Sequence, residues 1–340
     1  MELISTKTIA DKNEWEDFIE KHQEANFLHS WYWGEFQEQL GRTIVRSGFC
    51  LNGKLLGIML AIVEEAKRGK HLIVPGGPIL DWRNVKLVDE FGNELQKLCT
   101  LYDCAFTRVR PQLENNDFSK NTFRKLGFSN APMYLHAELT SQLDIRKSEE
   151  DILMNMRKAT RYEIKKAISL GIKIEQNGGK NIKDFYKLQL ETSRRQKFVP
   201  FEKNFLEAQF DTFIKNGSAI LYTAKYKNKT LAQAFIIFYG QEAVYHYGAS
   251  AQEGRKFPGA YLIQWEAIRE AKKRGQSRYN FWGVSPQNSD DHRFKGLSLF
   301  KRGFGGNDIA YLPAQDLVFN RPAYLINYFI EKSRRILRRS

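Results

Sequence analysis

Two stretches of this chain carry the same order of apolar and polar positions. "GFCLNGKLLGIMLAIVEE", residues 48–65, reads as a strand, a turn at Asn52-Gly53 and a longer strand. "LYTAKYKNKTLAQAFIIFYG", residues 221–240, has the same form with its turn at Asn228. After each hairpin the pattern predicts a further strand, then a helix (Val85 to Leu101; Ala260 to Arg274), then a strand (Ala105 to Val109; Ser277 to Val284). Helices precede each copy, such as Asn13 to His22 and Ile182 to Arg195. Each copy closes on a Phe, two basic residues and a Gly-Phe: "TFRKLGFS" at Thr122 to Ser129 and "LFKRGFGG" at Leu299 to Gly306. Repetition on this scale predicts a duplicated α/β domain, since solenoid periods run only ~20–50 residues. A basic helix from roughly Glu149 to Leu170 is predicted to join the halves.

Composition sharpens this picture without changing it. A chain of 340 residues exceeds the usual single-domain size, and 42% hydrophobic with 13% aromatic residues is enough to build two cores. Met1 to Trp15 is mixed and polar, and the longest apolar run, Leu55 to Val63, is far short of the ~20 residues a membrane span needs. The expectation is a soluble protein that is not exported. Cys50, Cys99 and Cys104 lack metal-type pairing and read as reduced thiols in a cytoplasm. The six histidines are scattered without metal-binding spacing, so no metal is expected. The net charge of +14 favours nucleic acid, phosphorylated ligands or anionic lipid, with solubility alone as the plain alternative. "FKRGFGG" is not a phosphate loop: its lysine precedes the glycines, and no Ser or Thr follows it.

The order of elements, a helical lead, a hairpin, a strand, a helix and closing strands, is that of an N-acetyltransferase-like fold, in the α/β (α+β) class. There the central helix starts where two strands splay apart, and its N-terminal N–H groups can face a phosphate or acyl ligand. In the second half Pro258, Gly259 and Ala260 open that helix, with Arg255 and Lys256 just before it. The stretch is at best a stretched match to an acyl-CoA loop. A helix started by proline, with a small residue for packing, fits it as well.

Seven phrases in order, "FLHSWYWGEFQEQLGR", "VPGGPIL", "MRKATRYEIKKAISLGIKI", "ETSRRQKF", "YHYGAS", "AYLIQWEAIREAKKRGQSRYNFWGV" and "LFKRGFGG", resemble the FemABX peptidyltransferase family over about residues 27 to 306. The resemblance implies two tandem N-acetyltransferase-like (GNAT) domains, here residues 1–145 and 146–310. Residues 311–340 then form a C-terminal segment returning to the first domain. Residues 181–217 leave room only for ordinary helices, which matches the compact type without a coiled-coil arm.

By the same resemblance the function is transfer of an amino acid from aminoacyl-tRNA to the stem-peptide side-chain amine of a peptidoglycan precursor, lipid-linked or nucleotide-linked. No cofactor is implied beyond the tRNA co-substrate, and the protein is expected to be a monomer in the cytoplasm, with peripheral contact at an anionic membrane left open. A CoA-dependent N-acyltransferase of the same fold and a non-catalytic basic RNA-binding protein are the alternatives. Lys301 matches the lysine that the family places near the reacting groups, and Gly303, Gly305 and Gly306 would let backbone approach a ligand. Tyr247 is matched to the acceptor-peptide contact. Tyr245, two positions away on a strand, is expected to face the same way. Trp33, with Trp31, matches an aromatic entry motif that core packing also explains. Arg157, Arg161 and Lys165 recur every four residues as one basic stripe, for phosphate or for solvent. Arg255 completes the expected substrate-binding set. The family's Pro-Arg-Gly-Pro is Pro75-Gly76-Gly77-Pro78 here, which removes a diphosphate contact.

The tail, Arg321 to Arg339, places Leu325, Ile326, Phe329, Ile330, Ile336 and Leu337 on one side of a helix, with Arg334, Arg335, Arg338 and Arg339 mainly away from it. That apolar side is expected either to pack on the first domain or to lie in a membrane interface.

Overall fold

Both hairpins form where the turn residues allow them. Asn52 and Gly53 take φ of 50° and 79°, and Lys227 and Asn228 take 47° and 62°. Two successive left-handed residues give the turn whose twist matches paired strands. A computed structural model describes residues 3–66, 69–177, 182–196, 198–287 and 294–337. Its chain divides into two units, one of residues 1–138 and 310–340 and one of residues 139–309.

The first unit runs β1 (Ser5–Thr8), α1 (Lys12–Glu20), α2 (Trp31–Gln39), the hairpin β2 (Thr43–Leu51) and β3 (Lys54–Ala66), β4 (Gly69–Pro75), β5 (Ile79–Leu80), α3 (Val85–Leu101), β6 (Cys104–Arg110), α4 (Asp117–Lys125) and β7 (Ser129–Asn130). The second runs β8 (Leu139–Asp144), α5 (Glu149–Asn155), α6 (Lys158–Ser169), β9 (Lys173–Asn177), α7 (Ile182–Gln196), α8 (Lys203–Lys215), the hairpin β10 (Ala219–Tyr226) and β11 (Lys229–Tyr239), β12 (Glu242–Ser250), α9 (Gly259–Lys273), β13 (Arg278–Gly283), α10 (Lys295–Arg302) and β14 (Asn307–Ala310). The chain returns to the first unit as β15 (Gln315–Val318) and α11 (Arg321–Leu337).

The first sheet has the order β1-β2-β3-β4-β6-β15-β7, with β5 beside β3; the second is β14-β8-β13-β12-β11-β10-β9. Each contains one parallel pair joined by its central helix, β4 with β6 through α3 and β12 with β13 through α9. This is the duplicated α/β unit that the repeat predicts. The parallel pairs differ in length. β4 and β6 stay together to Pro75 and Arg110, whereas β12 and β13 pair only over Glu242–Val244 and Arg278–Asn280 and then part.

Three local expectations are corrected. The units divide before residue 139 rather than after 145, because 139–144 is β8, a strand of the second sheet paired with β13 (Leu143 opposite Tyr279). The single joining helix is two helices: Met156 and Arg157 are extended (ψ 150° and 139°), with Met156 buried in the core. Arg161 closes the break by donating from Nη1 to the Met154 and Met156 carbonyls at 2.8 and 2.6 Å. Finally, α11 packs on the first unit by Tyr324, Asn327 and Glu331, and its apolar residues Leu325, Ile326 and Phe329 face outward. A buried arginine, Arg108, decides that rotation by binding Glu331.

Candidate functional site

The splay between β12 and β13 is filled by side chains that the sheet alternation alone would not place there. The β11–β12 register shifts between Phe235 and Ile236: Phe235 lies opposite Tyr247 and Ile236 opposite Tyr245, which leaves His246 as an extra residue. A bulge reverses the alternation. Tyr245 and Tyr247 therefore face opposite ways, contrary to the period-two expectation. Tyr245 packs against the cluster containing Ile236, Tyr279 and Phe281. Tyr247 stacks near Phe210, Phe235 and Phe201 with ring centroids 6.1, 6.3 and 5.1 Å away.

The bulge creates a polar chain on the Tyr247 side. Gln209, wholly buried on α8, accepts from the Tyr247 hydroxyl at 2.8 Å and donates its amide to His246 Nε2 at 3.1 Å. Burial, with the charge of Lys301 adding to it, depresses His246 to about 3, so its ring is neutral at any physiological pH. Its ring meets Trp282 edge-on at 5.6 Å. Sequence reasoning missed Gln209. Its one sign is a polar residue set among Leu206, Phe210 and Phe213 on the buried side of α8.

Lys301 lies across the splay near the end of α10. Only 6% of it is exposed, its Nζ donates to the Gly283 carbonyl at 2.7 Å, and it stands 5.6 Å from the centre of the Tyr245 ring. Among the described residues no carboxylate pairs with it. Burial alone lowers it from 10.5 to about 7. A lysine in this state interconverts easily between a cation that can face a developing oxyanion and a neutral amine.

The acceptor carbonyl is aimed by strain. Trp282 takes φ 63°, a left-handed backbone unusual for a bulky residue. Its N–H donates to Asn280 Oδ1 at 2.8 Å, and Asn280 Nδ2 donates to the buried Glu242 at 3.3 Å. α10 is held from two further points. Ser298 Oγ accepts from the Ser285 N–H at 2.8 Å, and Arg302 binds Asp308 through Nη2 at 2.7 Å and Nε at 3.0 Å. Trp282 was also missed from the sequence.

The glycines after Lys301 serve the fold. A Cβ on Gly303 would meet Thr160 Oγ1 at 2.5 Å, one on Gly305 the Asn155 carbonyl oxygen at 2.8 Å, and one on Gly306 that of Gln142 at 2.8 Å. They let this turn lie against the α5–α6 junction and β8. At the start of α9, Gly259 is likewise small because Ala224 Cβ would stand 2.7 Å from its Cβ.

The other expected residues have settings of their own. Trp33 belongs to the first unit, buried at the edges of Phe27, Phe36 and His136. Arg157 is exposed at the start of α6, while Arg161 is bound to the Met154 and Met156 carbonyls and does not extend a free stripe. Arg255 ends a short 3-10 turn, and its side chain lies outside the described residues. Lys301 thus stands beside Tyr245 and within electrostatic reach of His246, and Tyr247 joins them only through His246, whose ring centroid lies 4.0 Å from its own. Among the described residues no group of three or more His, Cys, Asp or Glu is placed to hold a metal, and no helix is long and apolar enough to cross a membrane.

Solved structures share this architecture. A structure of FemX superposes with a TM-score of 0.86 at 17% identity, covering 95% of this chain and 99% of that one. A tandem GNAT protein from the clavulanic acid biosynthesis pathway gives 0.57 at 10% identity, covering 93% and 98%. In sequence, the aminoacyltransferase FemA of Staphylococcus epidermidis is 23% identical over 83% of this chain and 88% of its own length. The FemA of Staphylococcus aureus strain bovine RF122 is also 23% identical, over 80% and 85%. The profile of the FemAB family matches residues 10–141, 134–230 and 217–332. These matches overlap and together cover residues 10–332 without a gap, which takes in most of the first unit and all of the second: the chain belongs to the FemAB family.

Proposed function

We propose that this chain is an aminoacyltransferase that moves an amino acid from aminoacyl-tRNA onto the stem-peptide amine of a peptidoglycan precursor, with Lys301 at the reacting groups. The observation that carries the assignment of Lys301 is its burial without a carboxylate partner among the described residues, inside a chain of the FemAB family. A structural lysine would be paired or exposed, because an isolated buried ammonium is costly.

In the reaction the acceptor amine nitrogen attacks the ester carbonyl carbon, and the bond to the ribose oxygen breaks. The amine loses a proton and the ribose oxygen gains one. The ester is already activated, so neither a covalent enzyme intermediate nor a resident cofactor is required. Positioning, and a donor facing the oxyanion of the tetrahedral intermediate, are what the protein supplies. Lys301 Nζ has that donor capacity. The Gly283 carbonyl occupies one of its protons and so fixes the direction of the others. Tyr247, held by Gln209, is proposed to contact the acceptor peptide.

The test is to incubate the purified protein with charged tRNAs and a muramyl-pentapeptide precursor and to measure the amide product. Absence of product with every aminoacyl-tRNA would overturn the reading. Binding of tRNA through phosphates also predicts a rate that falls steeply with salt, and Arg157→Glu should reduce the slope of log affinity on log salt by about 1.

A further inference from the structure

α11 buries its polar side and displays its apolar one. Tyr324, Asn327 and Glu331, spaced three and four apart, point inward. Glu331 accepts from Arg108 Nη2 at 2.9 Å, and Asp316 takes the Nε and Nη2 edge of the same guanidinium at 2.8 and 2.8 Å. The Tyr324 hydroxyl donates to Asp316 Oδ2 at 3.0 Å, and its ring stands edge-on to Phe106 at 5.2 Å. Arg108 and both carboxylates are almost wholly buried. Turning the helix to bury its apolar side would take Glu331 from Arg108 and the Tyr324 hydroxyl from Asp316, so two buried hydrogen bonds to charged groups would be lost. The ion cluster therefore fixes the rotation of α11.

The consequence is a built surface. Leu325, Ile326 and Phe329 are 50%, 58% and 61% exposed, and at ~100° per residue they fall within an arc of about 100°. Arg321 and Lys332 lie along one edge of that arc and Arg334 beyond the other, all exposed. Arg335, also exposed, donates to the Pro132 carbonyl at 3.1 Å. Glu331 is the sole acidic residue between Arg321 and Leu337, and it is buried. The outward side is thus apolar in the middle, cationic at the rims, and free of acid.

We propose that α11 docks on an anionic lipid bilayer, with Leu325, Ile326 and Phe329 at the acyl-chain boundary and the rim cations at the headgroups. The charge pattern selects this occupant: long cationic side chains beside an apolar strip can reach phosphates while their stems stay apolar. The inference rests on the helix and the Arg108 cluster, not on the transfer reaction.

The full-length protein is sedimented with vesicles of phosphatidylcholine alone and of equimolar phosphatidylcholine and phosphatidylglycerol. It should pellet with the second and remain in solution with the first. Replacing Lys332 and Arg334 by Gln should weaken binding about fivefold per cation, and Leu325→Glu with Phe329→Glu should abolish it. Because these residues are exposed, each variant should keep the thermal transition of the parent, and Phe329→Ser serves as a milder check. The proposal is overturned if the parent does not pellet, or if the Glu variant pellets equally, which would assign binding to diffuse net charge. It is also overturned if light scattering shows a dimer that Phe329→Glu dissociates, which would make a second copy the occupant. None of these readouts uses aminoacyl transfer, so failure here and failure of the proposed reaction are separable.

Discussion

In the first unit α4 ends on Phe123, Arg124 and Lys125; in the second α10 ends on Phe300, Lys301 and Arg302. The aromatic residues do the same work in both. Phe123 packs on Trp82 and Phe128 with centroids 5.2 and 5.0 Å apart, and Phe300 on Tyr261 and Phe304 at 4.8 and 5.4 Å. The cations diverge. Arg124 and Lys125 are exposed, whereas Arg302 is paired with Asp308 and Lys301 is buried. The cause lies in the neighbouring strands. β4 and β6 remain paired to their ends, but β12 and β13 part, and the turned backbone at Trp282 presents the Gly283 carbonyl to Lys301. A basic pair on a helix end is easily duplicated. A lysine with altered chemistry also needs a splayed strand pair and a strained residue beside it.

The largest expected effect tests that contrast directly. Lys301→Met should lower single-turnover transfer by roughly 10²–10³, the usual cost of losing one oxyanion-type donor. Arg124→Met and Lys125→Met should leave the rate unchanged. Equal losses at Lys301 and Lys125 in folded proteins would break the comparison.

The glycines give the next effect. Gly127 and Gly305 both take left-handed backbone, φ 85° and 89°. A Cβ on Gly127 would meet only Leu317 Cδ1 at 3.6 Å, while one on Gly305 would press the Asn155 carbonyl oxygen at 2.8 Å. Gly127→Ala should cost about 1–2 kcal/mol from backbone strain alone. Gly305→Ala should cost roughly 3 kcal/mol or more, because a backbone oxygen cannot step aside as a leucine methyl can. Urea unfolding of the two variants measures the difference, and equal costs would show that the second turn is not held against α5.

Much of this frame is legible in the amino-acid order. The helix expected at Val85 to Leu101 is α3, because its apolar spacing is regular and Asn84 caps it. Both hairpins followed from their turn residues. What stayed hidden depends on partners distant in sequence. Nothing near Met156 breaks a helix; the break is satisfied by Arg161 and by the Gly303 carbonyl. Tyr245 and Tyr247 obey alternation until one extra residue, His246, is counted against β11. The strain at Trp282 is carried by Asn280 and Glu242, and an aromatic residue gives no hint of positive φ. The period of α11 was legible, but the side that packs was chosen by Arg108, more than two hundred residues earlier in the chain.

The smallest effect concerns stability and separates the two cationic pairs by sign. Burial lowers Lys301 from 10.5 to about 7. Between those values the unfolded chain holds a proton that the folded chain has released, so this residue makes stability rise with pH across the window. Above about 10.5 its penalty vanishes, and below about 7 it is present in full. Lys301→Met removes the penalty and also forfeits the bond to the Gly283 carbonyl, which is worth about 1 kcal/mol. The net expectation at pH 7 is a variant more stable than the parent by roughly 1–3 kcal/mol, although it is nearly inactive. The advantage should shrink steadily as thermal unfolding is repeated towards pH 10. Arg124→Met, on an exposed side chain, should show no such trend. A Lys301→Met protein less stable than the parent at pH 7, by a margin unchanged at pH 10, would mean that Lys301 is held for structure. The two copies of the element would then differ in burial but not in role.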